Sequence, residues 1–234
     1  MDEQKIHKEY MWYLQKLFST LLFALFMQSL CLSQSIVKRF NPDSISFYKT
    51  YPVCAKNKAI PTEFDSVINI ALAYYPELCE TKIKFKVKRK MAPLSARPTL
   101  ISAFRKPSKR KYIIFISKKS NPKFTPILLK NLSLNAKIGV IGHELSHLSE
   151  YQSKKSFFFV ALAFKHLSKK SIDKFEYNTD RRCIDHNLGY QLLAWSTEVR
   201  QKLKMNKWGG ANNPERERYM NPDTIQKIIN ASTN

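Results

Sequence analysis

Between Leu134 and Tyr151 the chain carries one unbroken helical period. Leu134, Ile138, Ile141, Leu145 and Leu148 recur at +4, +3, +4 and +3 with no proline among them, which sets them in one apolar stripe along an α-helix. That stripe has to be covered, so the rest of the fold must be arranged round this helix. On another face lie His143, Glu144 and His147, the pattern HExxH. Side chains four apart stand one above the other on a helix, so the two imidazoles can share one metal ion. Glu144 sits about 100° round from His143, where a carboxylate reaches water at the metal without binding the metal itself.

The chain before this helix reads as helix and then sheet. Pro61 to Tyr75 carries Phe64, Val67, Ile68, Ala71, Leu72 and Tyr75 at helical spacing and is stopped by Pro76. Lys82 to Lys90 alternates Ile83, Phe85 and Val87 with lysines, the pattern of a half-buried strand with a basic outer face. Leu100–Phe104 and Tyr112–Ser117 flank Arg-Lys-Pro-Ser-Lys-Arg, which reads as a hairpin. Beyond Tyr151 the sequence is helical to Lys204, loops through Gly209-Gly210, and starts a last helix at Pro222 with Asn221 as its cap. The expected class is α+β: a small antiparallel sheet packed on the HExxH helix.

Composition adds limits rather than a fold. The 234 residues are 44% apolar with 5 Gly and 11 Pro, which excludes a disordered or collagen-like chain. Forty Lys+Arg against 18 Asp+Glu give a net charge of +22, which favours anionic partners. Leu17 to Leu32 contains no charge, and Cys31 and Ser33 put small residues where a signal peptidase would cut before Gln34. We therefore expect residues 1–33 to be an export signal, or a membrane anchor through 17–32, ahead of a domain at 34–234. Initiation at Met11 would leave a leader with a cleaner basic start. An exported chain is not expected to meet nucleic acid. The sequence does not specify an oligomeric state.

A catalytic zinc needs a third protein ligand and one open position. The stretch Phe175-Glu176-Tyr-Asn-Thr-Asp180 opens a second helix after Ser171, read as its cap, and puts Glu176 and Asp180 on one face. HExxH followed by Glu and, four residues on, Asp resembles the gluzincin metallopeptidases, the clan of thermolysin. Within that clan it resembles the compact soluble relatives of the CAAX prenyl protease. The resemblance spans about residues 135–190 and implies a zincin-like domain. His143, His147 and Glu176 would hold Zn2+, with Glu144 as general base and Asp180 orienting His143. The alternative, Asp180 as third ligand, follows aspzincin-like peptidases. The implied activity is hydrolysis of peptide or protein substrates by a zinc-bound water. In zincins an edge strand beside the helix holds the substrate by main-chain bonds, and the strands before Ser133 could supply it. The competing reading is a catalytically idle zinc module that binds an anionic membrane or polymer through its basic surface.

Several residues stay open at this level. His186, Tyr177 and Tyr190 are candidates for stabilising an oxyanion, and His166 reads as a surface histidine. Cys54 and Cys79 bracket the first helix, as a disulfide or as two thiols, and Cys183 falls seven residues after Glu176. Phe157 to Phe164, FFFVALAF between lysines, is either core or a contact with an anionic membrane surface.

Overall fold

The computed structural model describes residues 11–12, 15–16, 35–45, 54, 56–155, 158–159, 168–205 and 217–232. The chain divides into a unit Met1–Ser35 and a unit Ile36–Asn234; the expected leader at 17–32 and the cut before Gln34 lie outside the described residues. Among those described, no helix is long and apolar enough to cross a membrane.

Four strands form the sheet: β1 (Lys58–Ala59), β2 (Lys82–Lys88), β3 (Leu94–Pro98) and β4 (Lys111–Ser117), in the order β1-β2-β4-β3. The lysines of β2 alternate outward while Ile83 and Phe85 are buried. The expectation of an antiparallel sheet is corrected, because β2 runs parallel to both β1 and β4 and only β3 is antiparallel, to β4. Parallel neighbours require a crossover; helix α1 (Asp65–Ala73) supplies it between β1 and β2.

The expected hairpin is also displaced. Leu100–Ala103 is a single helical turn, and the antiparallel partner of β4 is Leu94–Pro98, with Leu94 opposite Ile116 and Pro98 opposite Tyr112. A segment bounded by Pro93 and Pro98 looks like loop, yet proline is tolerated in a strand at a sheet edge. Here β3 is that edge.

The helix that organises the sequence is α2 (Leu134–Ser153), begun by Ser133, whose Oγ accepts the Ala136 N–H at 3.4 Å. Ile138, Ile141, Leu145 and Leu148 are fully buried. Among the described residues, helices α3 (Lys169–Cys183), α4 (Gly189–Leu203) and α5 (Pro222–Ser232) follow α2. The approach of α4 to α2 is close: a Cβ on Gly139 would lie 2.1 Å from the Gln191 carbonyl oxygen. Glycine there is a packing requirement.

Two helix starts differ in detail from expectation. Helix α3 begins at Lys169 after Ser168, so Ser171 lies inside its first turn instead of capping it. Helix α5 does begin at Pro222, but Asn221 spends its side chain elsewhere: Oδ1 accepts from Arg200 Nη2 at 2.9 Å and Nδ2 donates to Glu217. Between α3 and α4 the chain breaks at His186 and Asn187, the latter at φ 61°, a left-handed conformation that asparagine tolerates.

Cys54 and Cys79 are joined as a disulfide, and Cys183 is a buried free thiol. Phe158 and Phe159 pack on the core beside Tyr151, with ring centroids 6.2 and 5.4 Å away, and the Arg110 guanidinium lies 4.9 Å over Phe159. These two are partly buried against the core, as the core reading expects; Phe157 and 160–164 lie outside the described residues, as does His166.

Candidate metal centre

Helix α2 presents His143 and His147 on one face, nearly perpendicular to each other, with ring centroids 4.8 Å apart. Both are buried, as is Glu144 between them. Across from them α3 contributes Glu176. Its Oε2 lies 3.2 Å from His143 Nε2 and 3.3 Å from His147 Nε2. One ligand atom from each of the three residues falls within 4.8 Å of the others. The contacts are not hydrogen bonds, since Glu176 Oε2 is buried with no hydrogen-bond partner. Three donors that converge on a common point without satisfying one another fit a cation between them.

The rings are held by their far nitrogens. His143 Nδ1 is 2.7 Å from Asp180 Oδ1, while Asp180 Oδ2 accepts the Met220 N–H at 2.7 Å. Thr179 Oγ1 donates to the Phe175 carbonyl at 2.9 Å, and so presents a lone pair to His147 Nδ1 at 3.2 Å. With each Nδ1 donating, each Nε2 keeps its lone pair for a metal. Asp180 therefore sits on the wrong side of His143 to join Glu176 in the ligand cluster, and both its oxygens are occupied.

Electrostatics follow from burial and from these pairings. Burial pushes the Glu176 carboxyl up, but the imidazoles of His147 and His143 outweigh it and hold it far below the usual carboxylate range. Burial raises Glu144; His147, His143 and a backbone bond from Ala96 on β3 only partly offset this. Glu144 Oε2 is buried without a hydrogen-bond partner. Edge strand β3 thus lies against the HExxH helix.

The oxyanion candidates named from the sequence have contacts of their own. His186 stacks on Tyr75 at 4.2 Å, with Nε2 3.0 Å from Glu77 Oε1 and Nδ1 2.7 Å from the Arg182 carbonyl. Tyr190 lies under Lys38 Nζ at 6.0 Å, and Tyr177 is partly exposed within electrostatic reach of Glu217. Two tyrosines lie beside the ligand histidines: Tyr151 stacks on His147 at 6.1 Å, and Tyr219 has its ring 5.5 Å from His143 and edge-on to Trp195. Burial, then Glu176 and Glu144, raise the Tyr219 phenol well above the ordinary value. Thr179, Tyr219, Trp195 and Ala96 were not expected. Thr179 alone had a legible signal, three residues after Glu176 on the same helix.

His186 has a structural task with a pH signature. Both its nitrogens face acceptors, which favours the imidazolium. Burial lowers its pKa, but Glu77 and the Arg182 carbonyl raise it more. Burial raises Glu77, but His186 and Ser149 bring it below its ordinary value. The stabilisation is therefore complete between the unfolded carboxylate and imidazole values, about 4.3 and 6.5. It is lost as pH rises through the raised His186 value, and again as pH falls through the depressed Glu77 value. Glu77 is 38% exposed, so solvent limits the pair to about 1 kcal/mol or less. His186→Gln should lower the denaturation midpoint at pH 5.5 and differ less from wild type at pH 8.5. An equal gap at both pH values would exclude the ion pair as its cause.

No family model, no curated protein and no solved structure matches the chain.

Proposed function

We propose that the chain is a zinc-dependent endopeptidase of the gluzincin type. One observation carries the reading: His143, His147 and Glu176 converge without a hydrogen bond among them, and the unpartnered Oε2 of buried Glu144 belongs to the residue between the two histidines. Among the described residues the ligand cluster numbers three. A zinc held only for stability is normally closed by four protein ligands, whereas a catalytic one keeps a position open.

Zinc, when bound, supplies a Lewis acid that polarises a carbonyl and lowers the pKa of water to about 7. Glu144 accepts a proton from the attacking water and passes it to the leaving amine. Asp180 and Thr179 hold the Nδ1 atoms, so Nε2 is the nitrogen each ring would turn to the metal. Tyr219, kept protonated by its surroundings, offers a phenolic donor for the developing oxyanion. An extended substrate adds to the edge of β3 by main-chain hydrogen bonds, and Ala96 ties that strand to Glu144. The Cys54–Cys79 disulfide suits an oxidising compartment, in keeping with the reading of residues 1–33 as an export signal.

The test combines metal analysis with digestion of a broad peptide library by the full chain. One zinc per chain is expected, with internal cleavages that a chelator abolishes and added zinc restores. Protein that holds one zinc and cleaves no peptide overturns the peptidase reading and leaves the idle zinc module.

A further inference from the structure

The connection from β3 to β4 has the polarity of an ordinary loop turned inside out. In the helical turn Leu100–Ala103 the small residues Ser102 and Ala103 are buried. The large apolar ones point away: Leu100 and Ile101 are each 79% exposed, and Phe104 is 69% exposed. Spacing of i, i+1 and i+4 gathers them on one side of the turn. Burying such side chains within the fold would stabilise it, and here the fold leaves that gain aside.

The turn is nonetheless firmly held. Thr99 N–H donates to the Lys111 carbonyl at 2.9 Å, and Ser102 Oγ donates to the same oxygen at 2.8 Å. Arg110, almost wholly buried, donates from Nη1 to the Tyr151 and Lys154 carbonyls at 2.5 and 2.6 Å, and from Nε to the Arg105 carbonyl at 3.1 Å. The apolar tip is presented by a built support, and exposed apolar groups clustered in this way mark an interaction site.

Charge selects the occupant. From Thr81 to His143 the chain has 17 Lys and Arg and not one Asp or Glu. Arg105, Lys106 and Lys109, directly after the tip, are exposed. Nucleic acid would engage such cations but stacks its bases on aromatic and guanidinium faces, and has no use for Leu100 and Ile101. An acidic peptide would likewise leave the aliphatic tip in water. A bilayer with anionic headgroups satisfies both halves at once, with apolar side chains below the headgroups and basic ones among them.

We propose that Leu100, Ile101 and Phe104, backed by Arg105, Lys106 and Lys109, dock the domain on an anionic lipid bilayer. The site is independent of the metal centre and does not rest on the peptidase reading.

The test is local, so that residues 17–32 cannot mimic it. The full chain with Cys31→Ser and Ile101→Cys carries an environment-sensitive fluorophore at position 101. Phosphatidylcholine vesicles containing about 30% phosphatidylglycerol should shift its emission to the blue and expose it to quenchers on the acyl chains. Pure phosphatidylcholine should do neither. Arg105→Glu, Lys106→Glu and Lys109→Glu together should raise the lipid needed for half the change at least tenfold, since each basic residue near the surface is worth about 1 kcal/mol. Their thermal midpoint should match that of the parent, because all three side chains are exposed. A label that stays in water with anionic vesicles overturns the proposal. So does equal insertion into neutral vesicles, or a shift produced by an oligonucleotide or polyglutamate and not by lipid.

Discussion

Glu144→Gln is expected to keep its zinc and its thermal midpoint while peptide hydrolysis falls at least 10²-fold, the low end for loss of a general base. The substitution preserves size and removes only the capacity to take a proton. Glu144 is the residue on which to make this cut because its Oε2 is buried and bonded to nothing. The backbone bond it takes from Ala96 needs only an oxygen acceptor, which the glutamine amide keeps. The expected loss falls on kcat, measured on the best-cleaved library peptide, with zinc content read in parallel. A variant that retains more than about a tenth of wild-type kcat would show that Glu144 is not the base.

Glu176→Ala and Asp180→Ala should separate a ligand from the residue that aims one. Glu176 approaches both Nε2 atoms, at 3.2 and 3.3 Å, so its removal should abolish stoichiometric zinc. Asp180 touches only the far nitrogen of His143, at 2.7 Å, and its loss should weaken zinc about 10–100-fold, the range for partners behind a ligand. Competition against a chelating dye gives both values. Asp180→Ala should also lower the thermal midpoint, because the Met220 N–H loses its acceptor. The opposite order, zinc lost in Asp180→Ala and kept in Glu176→Ala, would make Asp180 the third ligand.

The sequence alone determined the helix from Leu134 to Tyr151, which runs on to Ser153, the pairing of His143 with His147 on it, and the place of Glu144 between them. It likewise determined the α+β class and a half-buried strand from Lys82, read to Lys90 and found to end at Lys88. All of these follow from periods of 3.6 and 2 residues, which the backbone imposes over a few turns or pleats. The likeness of the Glu176 and Asp180 spacing to a known motif also directed attention to the helix that faces the histidines. Other features depended on which surfaces meet. The mixed strand order and the place of β3 at the edge come from pairings between segments with no shared local signal. Asp180 reaches His143 across 37 residues, and His186 reaches Glu77 across 109. Helical spacing could not tell that His186 would be spent on Glu77 while Tyr219 took the place beside His143. Nor could it separate Leu100, Ile101 and Phe104, which face water, from Phe158 and Phe159, which face the core. Both runs are apolar and flanked by basic residues; only the packing of Ser102 and Ala103 inward, and of Tyr151 against the phenylalanines, decides which one the fold keeps.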